Sequence, residues 1–139
     1  LQREGALVGV HCCSNTRWSE LMGLGLDILS IDARLSLDAV LEDAQAFWAF
    51  MAGGSTLSLG IVPTDLATSY ALGELVDSVE ASFRATAPKG LSFEGLLAQM
   101  LLTPACGLGM RSVQDTERIV EEVREAQRRL RSLVTASAA

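Results

Sequence analysis

Four short apolar runs, each leading into a helical segment across a short connection, constrain the fold of this chain more than any other feature. The runs occupy residues 6–10, 27–31, 56–62 and 100–103. Between and after them lie segments with helical spacing at 17–22, 36–51, 69–86, 92–99 and 112–134. The segment 36–51 reads as one helix: Ser36 stands as its N-cap, Leu37, Val40, Leu41, Ala44, Phe47, Trp48 and Met51 form an apolar stripe, and Gly53-Gly54 ends it. The last helix carries the stripe Ile119, Val123, Ala126, Leu130 and Val134, after an approximate capping box at Ser112-Val-Gln-Asp115. Apolar strands alternating with helices predict an α/β protein with a parallel sheet covered by helices. One domain over 1–139 accounts for the whole pattern, with the tail 135–139 expected to fray.

Composition narrows the function. A net charge of -6 and the lack of any Lys/Arg run leave no basic stripe of the kind that nucleic-acid binding needs. No stretch approaches the roughly 18 to 20 apolar residues of a membrane span, and the start does not read as a signal peptide. The expected protein is soluble and cytoplasmic. Three cysteines, two of them adjacent, make a poor disulfide framework, so the thiols are read as reduced. The chain opens on Leu1 and enters an apolar run within a few residues, which suggests a start partway through a longer protein.

The chemistry collects where strands run out into loops. His11-x-Cys13 follows the first run, Asp32 closes the second in Asp27-Ile-Leu-Ser-Ile-Asp32, and Cys106 lies in Thr103-Pro-Ala-Cys-Gly-Leu108 after the fourth. Side chains alternate along a strand, so His11 and Cys13 share a face while Cys12 turns to the other and packs under the helices. In parallel α/β folds the carboxyl ends of the strands carry the function. Zinc takes imidazole and thiolate ligands and keeps an open position when it is catalytic. His11, Cys13 and Cys106 suffice for that, with Asp32 either a fourth ligand or the cap of the next helix. Asn15 and Trp18 stand beside the site and could line a substrate pocket, although Trp18 begins an amphipathic segment and also suits the core. Asp65, in Pro63-Thr-Asp65 at the third strand's exit, either touches substrate or makes a turn. Gly107 and Gly109 form at best a weak anion nest.

Val8-Gly-Val-His-Cys-Cys13, Asp27-Ile-Leu-Ser-Ile-Asp32 and Thr103-Pro-Ala-Cys-Gly-Leu108 together resemble the carboxyl-terminal half of the catalytic barrel of cobalamin-independent methionine synthase. They are similar also to the corrinoid methyltransferases of the uroporphyrinogen decarboxylase superfamily. The resemblance implies a TIM (β/α)8-type barrel. Such a barrel needs roughly 200 residues or more, so the four βα units here amount to half of one. The open edges and an inner face expected to be apolar would then require the missing amino-terminal half or a second copy. It implies a methyltransferase of methionine biosynthesis, in which zinc on His11, Cys13, Asp32 and Cys106 binds a homocysteine-like thiol. The methyl donor would be methyltetrahydrofolate or a methylcorrinoid, the latter carried on a corrinoid protein. Methionine synthases have Glu where this chain has Asp32, and Cys13-Ser-Asn-Thr16 is closer to the His-x-Cys-Gly-Asn pattern of the corrinoid enzymes. In the family the acceptor is held largely by the other half, so this chain alone is expected to be inactive. The alternatives are a metal-free decarboxylase-like enzyme and an inactive zinc-binding barrel fragment.

Overall fold

The computed structural model describes residues 2–14 and 16–137. Four strands, β1 (Gly9–Cys12), β2 (Ile28–Asp32), β3 (Thr56–Val62) and β4 (Met100–Pro104), form one parallel sheet in the order of the sequence. The helices are α1 (Trp18–Met22), α2 (Ala33–Leu41), α3 (Ala44–Ala52), α4 (Leu72–Thr86), α5 (Phe93–Ala98) and α6 (Val113–Ser137). A parallel sheet whose order never reverses, joined by right-handed crossovers, places every crossover helix on the same side. The burial agrees. Leu29, Ile31, Leu57, Leu59 and Ile61, which alternate along β2 and β3, are wholly buried in the core together with Val40, Phe47, Val79 and Phe83 from the helices. Phe47 and Phe83 stack at 5.9 Å between ring centroids, with Trp48 edge-on to Phe47 at 4.8 Å, which ties α3 to α4.

The opposite face corrects an expectation. It carries His11, Ser30, Asp32, Ser58, Gly60 and Thr103, brought level by the register His11↔Ser30, Ser30↔Ser58, Asp32↔Gly60 and Gly60↔Thr103. It is polar or small along its middle and carboxyl-terminal part, with Ile28 and Leu101 (51% exposed) apolar on it. β2 over Leu29–Asp32 and β3 over Thr56–Ile61 thus alternate apolar with polar or small residues, where uniformly apolar strands were expected.

Boundaries moved for local reasons. β1 spans Gly9–Cys12 instead of 6–10, because Val8 is engaged at the entrance: its N–H donates to the Asp27 carboxylate at 2.7 Å and its carbonyl accepts from the Asp27 and Ile28 amides. The single helix expected over 36–51 is two. Asp32 caps α2, Ser36 lies buried inside it, and Asp43 starts α3 by accepting from the Ala46 amide at 3.0 Å. Ser112 does cap α6, its hydroxyl accepting from the Asp115 amide at 3.1 Å, and α6 continues through Ser137. No helix among the described residues is long and apolar enough to cross a membrane.

Candidate metal centre

His11 sits within β1, Cys13 just beyond its end, and Cys106 two residues after β4. One ligand atom from each lies within 4.8 Å of the others, and all three side chains are exposed. Among the described residues this is the single such grouping of histidine, cysteine and acidic side chains. A tetrahedral zinc with sulfur at ~2.3 Å and nitrogen at ~2.0 Å holds its ligand atoms about 3.5 to 3.8 Å apart, so these atoms need to close by at most about 1 Å. Exposed side chains reach that by small torsional changes. The three side chains could therefore hold a metal ion, and imidazole with two thiols is a donor set that zinc accepts.

His11 is also oriented. Its Nδ1 and the Ser30 hydroxyl are hydrogen-bonded at 2.9 Å, across the pair of positions that the β1–β2 register sets side by side. With the proton on Nδ1, the ring donates to Ser30 Oγ and presents the lone pair of Nε2. Ligating histidines are commonly fixed in this way through the second ring nitrogen. Ser30 escaped the sequence reading. Its signal was a polar residue at the inward position of Ile28-Leu-Ser-Ile-Asp32, in a strand otherwise apolar at its centre.

The other candidates separate. Asp32, 8% exposed, points along the same sheet face but is not part of the grouping. Its Oδ1 accepts from the Arg34 amide at 2.9 Å and the Leu35 amide at 3.0 Å, which makes it the N-cap of α2. Cys12 is half-buried and packs against the core under the helices, its thiol donating to the Ser14 carbonyl at 3.3 Å. Trp18 is buried in the core. Asp65 makes a turn: its carboxylate accepts from the Ala67 amide at 3.0 Å and the Thr68 hydroxyl at 2.9 Å. Those two bonds, the amide first, hold its carboxyl below the usual carboxylate range, and the positive charges of Arg111 and Arg34 add to the effect. Asn15 lies outside the described residues. Gly107 and Gly109 border open space.

No protein-family model matches the chain, and no significant match is found among curated proteins or solved structures.

Proposed function

We propose that this chain forms the metal-holding part of a TIM (β/α)8-type methyltransferase and supports zinc-dependent methyl transfer to a small thiol. The observation that carries the reading is the convergence of His11, Cys13 and Cys106 to within 4.8 Å at the carboxyl ends of two parallel strands. A strand order of 1-2-3-4 with the helices on one side is what a contiguous run of four βα units from a barrel would have, and it supports that architecture. The resemblance to methionine synthase and to the corrinoid methyltransferases supplies the reaction.

In this reading Cys13 and Cys106 bind as thiolates, and His11, steadied by Ser30, binds as a neutral imidazole. Zinc, when bound, supplies Lewis acidity that lowers the pKa of an acceptor thiol, so that its sulfur can take a methyl group as a thiolate at neutral pH. The exposure of all three side chains leaves one side of the site free for the acceptor. Asp32 stands on the same face and, by holding the start of α2, steadies the rim on which the acceptor would rest. A methylcorrinoid or methyltetrahydrofolate is the donor, and the remaining strands of the barrel hold the rest of the acceptor.

Metal analysis of the purified protein beside Cys106→Ser and Cys12→Ser tests the site. About one zinc per chain is expected in the parent and in Cys12→Ser, with a clear loss in Cys106→Ser. Equal zinc in the parent and Cys106→Ser would remove the basis of the proposal.

A further inference from the structure

β1 and β4 are the two edges of the sheet. Adjacent strands lie about 4.8 Å apart, so three intervals separate these edges by roughly 14 Å before any curvature. Yet the thiol of Cys106, beyond β4, lies within 4.8 Å of His11 and Cys13 at β1. The chain leaving β4 must therefore cross the mouth of the sheet.

The crossing point is visible at Gly60. A Cβ built on Gly60 would stand 2.5 Å from the Cα of Ala105, 2.9 Å from the carbonyl oxygen of Ile31 and 3.1 Å from that of Pro104. All three are backbone atoms, which no side-chain rotation can move aside. The β3–β4 pairing also slips between Gly60 and Val62, so that Val62 faces Pro104 and the Ala105 amide donates to the Val62 carbonyl at 2.9 Å. The end of β4 is thereby turned inward over β3, with Ala105 packed almost wholly buried on Gly60 and Cys106 the next residue along. A glycine inside a strand marks such a close backbone approach.

We propose that Gly60 is a positioning residue for the metal centre: its missing side chain opens the passage through which the β4 exit carries Cys106 to His11 and Cys13. The inference rests on the zinc reading above and extends it to a residue that touches no metal. A side chain at position 60 presses hardest on Ala105, at 2.5 Å, and through it on Cys106, and less on the Ile31 carbonyl of β2, at 2.9 Å.

The test is a cycle of the parent chain, Gly60→Ala, Cys106→Ser and the double variant. Zinc affinity is read by chelator competition, the number of thiolates on the metal by the sulfur-to-cobalt absorption of the Co2+ form, and folding by unfolding of the metal-free protein. Gly60→Ala is expected to unfold cooperatively, to lose about 10- to 100-fold in affinity, the range for groups that position a ligand, and to show about half the parent's sulfur-to-cobalt absorption. The double variant should bind no more weakly than Cys106→Ser alone, because both changes remove the same ligand. A folded Gly60→Ala with the parent's affinity and spectrum overturns the proposal while leaving the zinc reading intact. Equal affinity in the parent and Cys106→Ser overturns the zinc reading itself, and the proposal with it. If Gly60→Ala does not fold, Ala105→Val crowds the same crossing from the loop side and is judged by the same two readouts.

Discussion

Asp32 separates two roles that a carboxylate at a strand end can play, and two substitutions tell them apart. Its Oδ1 accepts from the Arg34 and Leu35 amides at the start of α2. Replacing an N-cap of this kind by alanine costs about 0.5 to 2 kcal/mol. Arg34 and Leu35 are both exposed, so water can reach the freed amides, which places the cost near ~1 kcal/mol. In a chain of this size that lowers the thermal midpoint by roughly 3 to 5 °C. Asparagine caps about as well as aspartate but is a far poorer metal ligand. Asp32→Asn should therefore keep most of the stability that Asp32→Ala loses, as read by unfolding of the metal-free protein. In chelator competition, Asp32→Asn should weaken zinc binding much less than Cys13→Ala does, by no more than the roughly 10- to 100-fold seen on losing a supporting group. A loss equal to that of Cys13→Ala would make Asp32 an obligatory ligand. An Asp32→Ala as stable as the parent would remove the cap.

Three further outcomes are expected. Ser30→Ala should lower zinc affinity by about 10- to 100-fold by freeing the His11 ring, with little change in the midpoint of the metal-free protein; unchanged affinity would show that the 2.9 Å bond does not orient the ligand. The single tyrosine, Tyr70, is pushed up to about 12, first by burial and then by its hydrogen bond to the Glu122 carboxylate. Its folded value lies above the ordinary 10.0, so its contribution to stability is intact below pH 10 and is lost as the pH rises towards 12; an ultraviolet titration showing tyrosinate forming near pH 10 in the folded protein would contradict this. Sedimentation should find the 139-residue chain dimeric or larger, because β1 and β4 each have only one sheet neighbour and Leu7 and Leu101 stand exposed beside or on them. A monomer with one cooperative unfolding transition would refute that.

The parallel sheet and its helices were legible because strand and helix periods differ and each apolar run is followed by a helical stripe. The gathering of His11, Cys13 and Cys106 was legible because parallel strands all end on the same side. What escaped depended on contacts between segments. The break between α2 and α3 is the exception: it is local, made where Asp43 offers its carboxylate to the Ala46 amide, and the unbroken apolar spacing across Leu41-Glu-Asp-Ala44 hid it. Ser30 matters only because register sets it beside His11. Gly60 was readable as a glycine inside a strand, but what passes over it was not, since Ala105 lies far along the chain.

The polar inner face changes what the open sheet needs. The polar part of the face, Ser30, Asp32, Ser58 and Thr103, gains little from burial against a second apolar layer, because its groups already pair with His11, the α2 amides or one another and any unpaired lone pair would lose water. Ser58 and Thr103 already approach one another at 3.5 Å across β3 and β4. Exposed backbone groups along the free sides of β1 and β4 are a different matter, since only another strand pairs them in register. Assembly through the edges, with the polar face kept as the wall of a site whose candidate metal ligands stand at its rim, satisfies both demands. A sandwich closed over that face would bury the half-exposed hydroxyls of Ser30 and Thr103 and cover the exposed side chains of His11, Cys13 and Cys106 at once.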